Sequence, residues 1–117
     1  VGAEPMQIVR YERGEMYTAH YDNKQGCVRR AATFMMYLRD VEAGGATHFP
    51  KAKAFGKGAD ADGVRVWPKR GRALVFWSVR GGVEDARSLH EAEAVAGGEK
   101  WIATKWMQVA EESPASG

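Results

Sequence analysis

RAATFMMYL (residues 30–38) is the stretch on which the fold turns. Ala31, Ala32, Met35 and Met36 favour a helix. Thr33, Phe34 and Tyr37 suit a pleated strand. The neighbouring segments favour the strand. MQIVRY (residues 6–11) is β-branched and aromatic, and the turn residues Glu12, Arg13 and Gly14 close it. MYTAHYD (residues 16–22) reads as a second strand, followed by the polar loop NKQG (residues 23–26). Downstream, THF (residues 47–49) stops at Pro50, and VRVW (residues 64–67) stops at Pro68. ALVFWSV (residues 73–79), residues 89–95 and KWIATKWMQV (residues 100–109) complete the series.

Gly44-Gly45 reads as a turn, and residues 51–63 and 80–87 as loops. About eight short strands with frequent turn signals, no amphipathic helix and no internal repeat predict an all-β sandwich or barrel. One domain over residues 1–110 is expected, with a disordered tail at 111–117 (EESPASG) that has nothing to pack.

Composition narrows the function class. The chain has 117 residues, 44% of them hydrophobic and 27% charged, with a formal net charge of +2. These are ordinary values for one globular domain. Lys and Arg are interleaved with Asp and Glu, which argues against a nucleic-acid-binding face. No apolar run approaches the roughly 20 residues that span a bilayer. The single cysteine, Cys27, excludes an intrachain disulfide scaffold. None of this indicates a compartment.

His20 and Asp22 stand two residues apart on the expected second strand. Strand side chains alternate faces, so the imidazole and the carboxylate should project together. His90 lies on a later strand that a sandwich can bring beside them. Two histidines and one carboxylate on one side of a metal leave the opposite positions open, as non-haem Fe(II) oxygenases require. The open positions admit a 2-oxo acid, through its carboxylate and keto oxygen, together with O2. An H-x-D pair alone is a weak signal, because most such pairs are surface residues or a satisfied core histidine.

A 2-oxo diacid has a second carboxylate that needs a cation at the closed end of its pocket. In the last strand Lys100, Ile102, Thr104 and Trp106 share one face, which is expected to point inward. A lysine there is costly unless an incoming carboxylate pairs it. The plainer reading is a strand-end lysine that reaches water. Tyr11, Tyr37 and Thr47 could donate hydroxyl hydrogen bonds to the same acid, although tyrosine in a sheet more often packs.

Four runs extend this picture: RYERGEMYTAHYD (residues 10–22), RAATFMMYLRDVEAGGATHFP (30–50), PKRGRALVFW (68–77) and SLHEAEAVAGGEKWIATKW (88–106). In this order they resemble the catalytic domain of prolyl 4-hydroxylases over nearly the whole chain. The resemblance implies a double-stranded β-helix, a form of jelly roll. It implies that His20, Asp22 and His90 bind Fe(II), and that Lys100 binds the distal carboxylate of 2-oxoglutarate. It places Tyr11, Thr47 and Trp106 around the co-substrate and Tyr37 at a position that contacts it in some relatives. Tyr17 falls near the substrate and Arg30 at the mouth of the site. Lysine rather than arginine as the distal cation is similar to collagen-type and plant-type members. Asp22 argues for hydroxylation, because related halogenases lack this carboxylate.

The implied reaction hydroxylates C4 of prolyl residues in a peptide or protein, with Fe(II), 2-oxoglutarate and O2, and with ascorbate as reductant. The alternatives are a hydroxylase of a free amino acid or small molecule on the same scaffold, and a non-catalytic metal-binding β-sandwich.

Several features depart from the family pattern. Its N-terminal helices, which cover the larger sheet, have no counterpart in this sequence. A missing N-terminal segment or an oligomer partner is therefore expected on that face. Ala46 stands where relatives carry an acidic residue. His48 is expected on the surface, pointing away from the metal, because it follows Thr47.

Overall fold

The computed structural model describes residues 4–24, 28–53 and 62–109. The expected tail at 111–117, Cys27, and parts of the loops expected at 23–26 and 51–63 lie outside the described residues.

Arg30–Tyr37 is a strand, β3, and its burial explains why. Thr33, Met35 and Tyr37 face inward and Phe34 and Met36 outward, a period of two that no helix would give. Four-stranded antiparallel sheets form the two layers. The larger has the order β1 (Gln7–Tyr11), β12 (Lys100–Gln108), β3, β7 (Ala73–Trp77). The smaller has the order β2 (Tyr17–His20), β10 (His90–Ala92), β5 (Thr47–Phe49), β6 (Val64–Val66). The chain passes repeatedly from one sheet to the other, which is the double-stranded β-helix anticipated above.

The expected strand set was right in its eight principal members and too simple between them. Residues 80–87 are not a plain loop. Val79–Arg80 (β8) and Val83–Glu84 (β9) form a hairpin around Gly81-Gly82, followed by a 3-10 helix at Ala86–Ser88. Asp85 caps that helix by accepting from the Arg87 N–H at 2.9 Å. The single strand expected at 89–95 breaks after Ala92, and Val95–Gly97 (β11) pairs instead with Ala43–Gly44 (β4). Gly44 is therefore part of a pairing as well as a bend. A Cβ there would lie 2.5 Å from the Ala94 carbonyl, so only glycine permits the approach.

The core is small. Met35, Tyr37 and Ile102 are its buried centre, with Val9, Tyr11, Val66 and Leu74 packed around them. Buried polar residues are as prominent, among them Thr33, Thr47, Thr104, His90 and Lys100. The outer face of the larger sheet is apolar and bare, with Ile8, Val75 and Met107 exposed and Trp77 67% exposed. Among the described residues no helix covers it, and none is long and apolar enough to cross a membrane.

Tyr37 is 0% exposed, and its hydroxyl lies 2.6 Å from Thr47 Oγ1 and 3.1 Å from the Val66 carbonyl that it can donate to. It ties the larger sheet to the smaller one. Replacing Tyr37 by Phe leaves the Val66 carbonyl and the Thr47 hydroxyl without this partner and is expected to cost about 1–2 kcal/mol, measured by urea unfolding. An unchanged midpoint would show that the tie contributes nothing.

Candidate metal centre and active site

His20 closes β2 and His90 opens β10, and their Cα atoms are direct partners across the ladder. The ring centroids lie 4.4 Å apart. Each ring is oriented by its own backbone: His20 Nδ1 is 2.7 Å from the Thr18 carbonyl and His90 Nδ1 is 2.8 Å from the Ser88 carbonyl. A carbonyl only accepts, so each Nδ1 carries the proton and each Nε2 presents a lone pair. Both lone pairs are aimed at Asp22. Its Oδ1 lies 3.3 Å from His90 Nε2 and 3.7 Å from His20 Nε2.

Three electron-rich atoms facing one another repel unless a cation lies among them. Backbone-anchored imidazoles beside a carboxylate are the donor set of a divalent metal site. The residues present thus fit the metal that the sequence reading called for, with one side of the triad open to a cavity.

Asp22 reaches this position by a different route from the one expected. β2 ends at His20, so strand alternation does not aim the carboxylate. Side chains hold it instead. Thr33 Oγ1 donates a short hydrogen bond to Asp22 Oδ2, and Trp106 Nε1 donates to the same oxygen at 3.1 Å. Burial pushes the Asp22 carboxyl up. Whenever His90 Nε2 carries a proton in place of a metal, its bond and charge pull the other way, as the bonds from Thr33 and Trp106 always do, and the carboxyl lies below the ordinary carboxylate range. Burial also lowers the His20 imidazole, which keeps its Nε2 available as a ligand atom.

A cavity of about 420 Å³ opens from this triad between the sheets. Tyr11, Tyr17, Arg30, Thr47, Lys100 and Trp106 all line it, as do Thr33 and Thr104. The inward face of β12 is the one expected. Lys100 is 1% exposed, which overturns the plainer reading of a strand-end lysine in water. β1 sets Tyr11 opposite Lys100, and the Lys100 Nζ stands over the Tyr11 ring, 4.7 Å from its centroid. Among the described residues no carboxylate pairs with it directly, and Glu93 adds only a weaker attraction. Burial lowers Lys100 from 10.5 to about 8. Gly45 keeps room for its stem, since a Cβ there would come within 3.2 Å of Lys100 Cδ.

Tyr37 does not line the cavity, contrary to the expectation of a direct contact. Its hydroxyl lies behind Thr47. With its one proton on the Val66 carbonyl, it accepts from the Thr47 hydroxyl and fixes that side chain at the cavity wall. Tyr17 and Arg30 sit at the mouth. Tyr17 is 52% exposed and leans on the His20 ring at 4.1 Å between centroids.

His48 does point away from the cavity, yet it is not a surface residue. It is 6% exposed, with Nδ1 2.7 Å from Glu91 Oε1 and Nε2 2.5 Å from the Asp62 carbonyl. Burial alone would lower its pKa; Glu91 and the Asp62 carbonyl outweigh that and raise it. The nearby Glu93 is matched by Arg65 through both oxygens at 3.1 Å. Thr33 is the functional position that sequence reasoning missed. A hydroxyl in the inward row of an otherwise apolar strand was the available signal.

Residues 6–108 match the family described as the 2OG-Fe(II) oxygenase superfamily, and the chain belongs to it. Family membership implies Fe(II) and 2-oxoglutarate as cofactor and co-substrate. Among curated relatives, probable prolyl 4-hydroxylase 9 of Arabidopsis thaliana is 41% identical over 90% of this chain and 41% of its own length. Prolyl 4-hydroxylase 2 of the same plant is 38% identical over 91% of this chain and 42% of its own. The chain thus spans less than half the length of the curated relatives it matches.

Among solved structures, the viral collagen prolyl hydroxylase from Paramecium Bursaria Chlorella virus-1, in its 2OG complex, superposes with a TM-score of 0.78. It is 30% identical, covering 94% of this chain and 61% of that one. A Pseudomonas putida prolyl-4-hydroxylase follows at a TM-score of 0.65 and 26% identity, over 90% of this chain and 52% of that one.

The buried charge of Lys100 has a measurable cost. The folded state releases the Lys100 proton near pH 8, whereas the unfolded chain holds it to about 10.5, so stability from this group rises with pH across that window. The shift corresponds to a penalty on the order of 3 kcal/mol at neutral pH. Lys100→Met is therefore expected to raise the melting temperature of the protein by several degrees at pH 7 without oxo acid. The gain should shrink as the pH approaches 10.5. A variant that melts lower than the parent at pH 7 would contradict this reading.

Proposed function

We propose that the chain is the catalytic core of a prolyl hydroxylase that oxidises C4 of prolyl residues in a peptide or protein. The observation that carries this reading is a single cavity with His20 Nε2, His90 Nε2 and Asp22 Oδ1 converging at one place and the buried Lys100 cation at another. His20, Asp22 and His90 would hold Fe(II). Iron bound there would couple O2 and the oxidative decarboxylation of 2-oxoglutarate to conversion of a C–H bond into C–OH, with succinate and CO2 as the other products.

The chain's own residues do the rest. Lys100 neutralises the distal carboxylate of the oxo acid, which in turn offsets the lysine's burial cost. Thr47, held at the cavity wall by Tyr37, turns its hydroxyl to the same carboxylate when the oxo acid is bound. Burial raises the Tyr11 phenol, so it stays protonated as a further donor into the cavity. Thr33 and Trp106 occupy Asp22 Oδ2 and so present only Oδ1, which leaves positions open for the co-substrates. Ascorbate serves as the reductant that keeps the iron ferrous. At the mouth, Tyr17 offers an aromatic face to an extended proline-containing segment, beside Arg30 in its ion pair with Glu4, and a polyproline II strand suits this opening because its backbone is unpaired. The names of the relatives, prolyl 4-hydroxylases and a collagen prolyl hydroxylase, support the same substrate class.

Succinate formation from 2-oxoglutarate, with Fe(II), ascorbate and O2, tests this directly. Succinate that rises with a proline-rich peptide, together with one added oxygen on proline, is the expected result. Slow succinate formation that ignores the peptide would redirect the substrate to a free amino acid or small molecule. No succinate from metal-loaded protein would leave a binding module. His20→Ala and Asp22→Ala should each abolish turnover. Lys100→Ala should chiefly raise the 2-oxoglutarate concentration needed, and an unchanged requirement would remove Lys100 from the co-substrate site.

A further inference from the structure

Asp22 lies beyond the end of β2, so no ladder hydrogen bond holds the one anionic member of the triad. Something else must hold it against thermal motion. Asn23 does part of this. Its Oδ1 accepts from the Arg29 and Arg30 N–H groups at 3.0 and 2.8 Å, and its Nδ2 donates to the Arg30 carbonyl at 2.9 Å. The Arg30 side chain does the rest. Its NH1 donates to the Asp22 carbonyl at 3.0 Å, and its guanidinium lies over the Trp106 ring, 3.8 Å from the centroid. Trp106 in turn donates to Asp22 Oδ2. Arg30 thus touches the metal-ligand segment twice, once directly and once through the indole.

A guanidinium stacked on an indole can still slide and rotate. Glu4 prevents that. Its two oxygens take Arg30 Nε and NH2, both at 2.7 Å, in the fork geometry that fixes the plane of the group. Glu4 is itself placed by its backbone, whose N–H donates to the Trp106 carbonyl at 3.2 Å. That bond anchors Glu4 to the backbone of the residue whose indole it helps to hold.

We propose that Glu4 is a positioning residue of the metal centre, acting through Arg30 and Trp106 on Asp22. The inference rests on the assignment of Asp22 as a metal ligand made above. It also revises the part played by Arg30. Three of its N–H groups are committed to Glu4 and to the Asp22 carbonyl, so it orders the site before any substrate arrives.

The test is Co(II) titration of the purified protein, followed by visible absorption and calorimetry, on the parent, Glu4→Gln, Glu4→Asp and His90→Ala. Melting temperatures are taken in EDTA, and the Trp106 indole N–H resonance, assigned by its loss in Trp106→Phe, is followed by NMR. Glu4→Gln should weaken Co(II) binding on the order of 10-fold, as the loss of a supporting residue around a metal ligand does. The indole N–H should shift and exchange faster, while the metal-free melting temperature stays within a few degrees. Glu4→Asp keeps the charge and should recover part of the affinity.

A Glu4→Gln protein that melts lower but binds Co(II) like the parent would reduce Glu4 to a staple for the N-terminal segment and overturn the proposal. Unchanged affinity and an unchanged indole signal would overturn it as well. Should the parent bind Co(II) no better than His90→Ala, the metal site itself would be wrong, and the positioning role would fall with it.

Discussion

The carboxylate of Asp22 is divided between two tasks, and the site depends on that division. One oxygen belongs to the fold: Thr33 from β3 and Trp106 from β12 both donate to it. The other faces two imidazole lone pairs. Were both oxygens free, the group could rotate, chelate through both atoms and close the coordination positions that the chemistry needs. Neighbouring strands of the larger sheet thus determine how a residue beyond the end of a smaller-sheet strand presents itself. The jelly roll matters here because it stacks those two sheets closely enough for a threonine and an indole to reach across.

The interior shows what this costs. The hydrophobic core of the described residues is modest, centred on Met35, Tyr37 and Ile102. The chain devotes inward positions on β3, β5 and β12 to Thr33, Thr47, Lys100 and Thr104 rather than to hydrocarbon. Thr33 and Thr47 are tolerable because their hydroxyls find partners, Asp22 and Tyr37. Among the described residues Lys100 has an aromatic face and a more distant carboxylate, so the protein itself compensates its buried charge incompletely.

Much of this was legible in the sequence wherever a period of two applied. The alternation in β12 assigned Lys100, Ile102, Thr104 and Trp106 to the cavity, and the structure agrees. The spacing of His20 and Asp22 picked out two side chains that do meet, but not through alternation, since Asp22 is aimed by side chains and not by a pleat. What escaped were relations between segments distant in the chain. The burial of His48 needs Glu91 and the Asp62 carbonyl, neither of which a strand pattern reveals. Tyr37 looked like a ligand contact because its residue type suits one, but whether a hydroxyl faces a cavity or the threonine in front of it depends on the fit between two sheets. The hairpin at β8 and β9 was hidden because two-residue strands carry no period at all.

The cross-strand pairing of His20 with His90 has a mechanical consequence. Among the described residues β2 is an edge strand, paired with β10 alone through a short ladder that a bulge interrupts between His90 and Ala92. A divalent ion between the two rings would bridge that ladder with bonds far stronger than the hydrogen bonds beside it. Loading the metal would therefore rivet the sheet's free margin to its neighbour, and the same ion would act as a clasp against fraying, register slip and proteolytic nicking of β2.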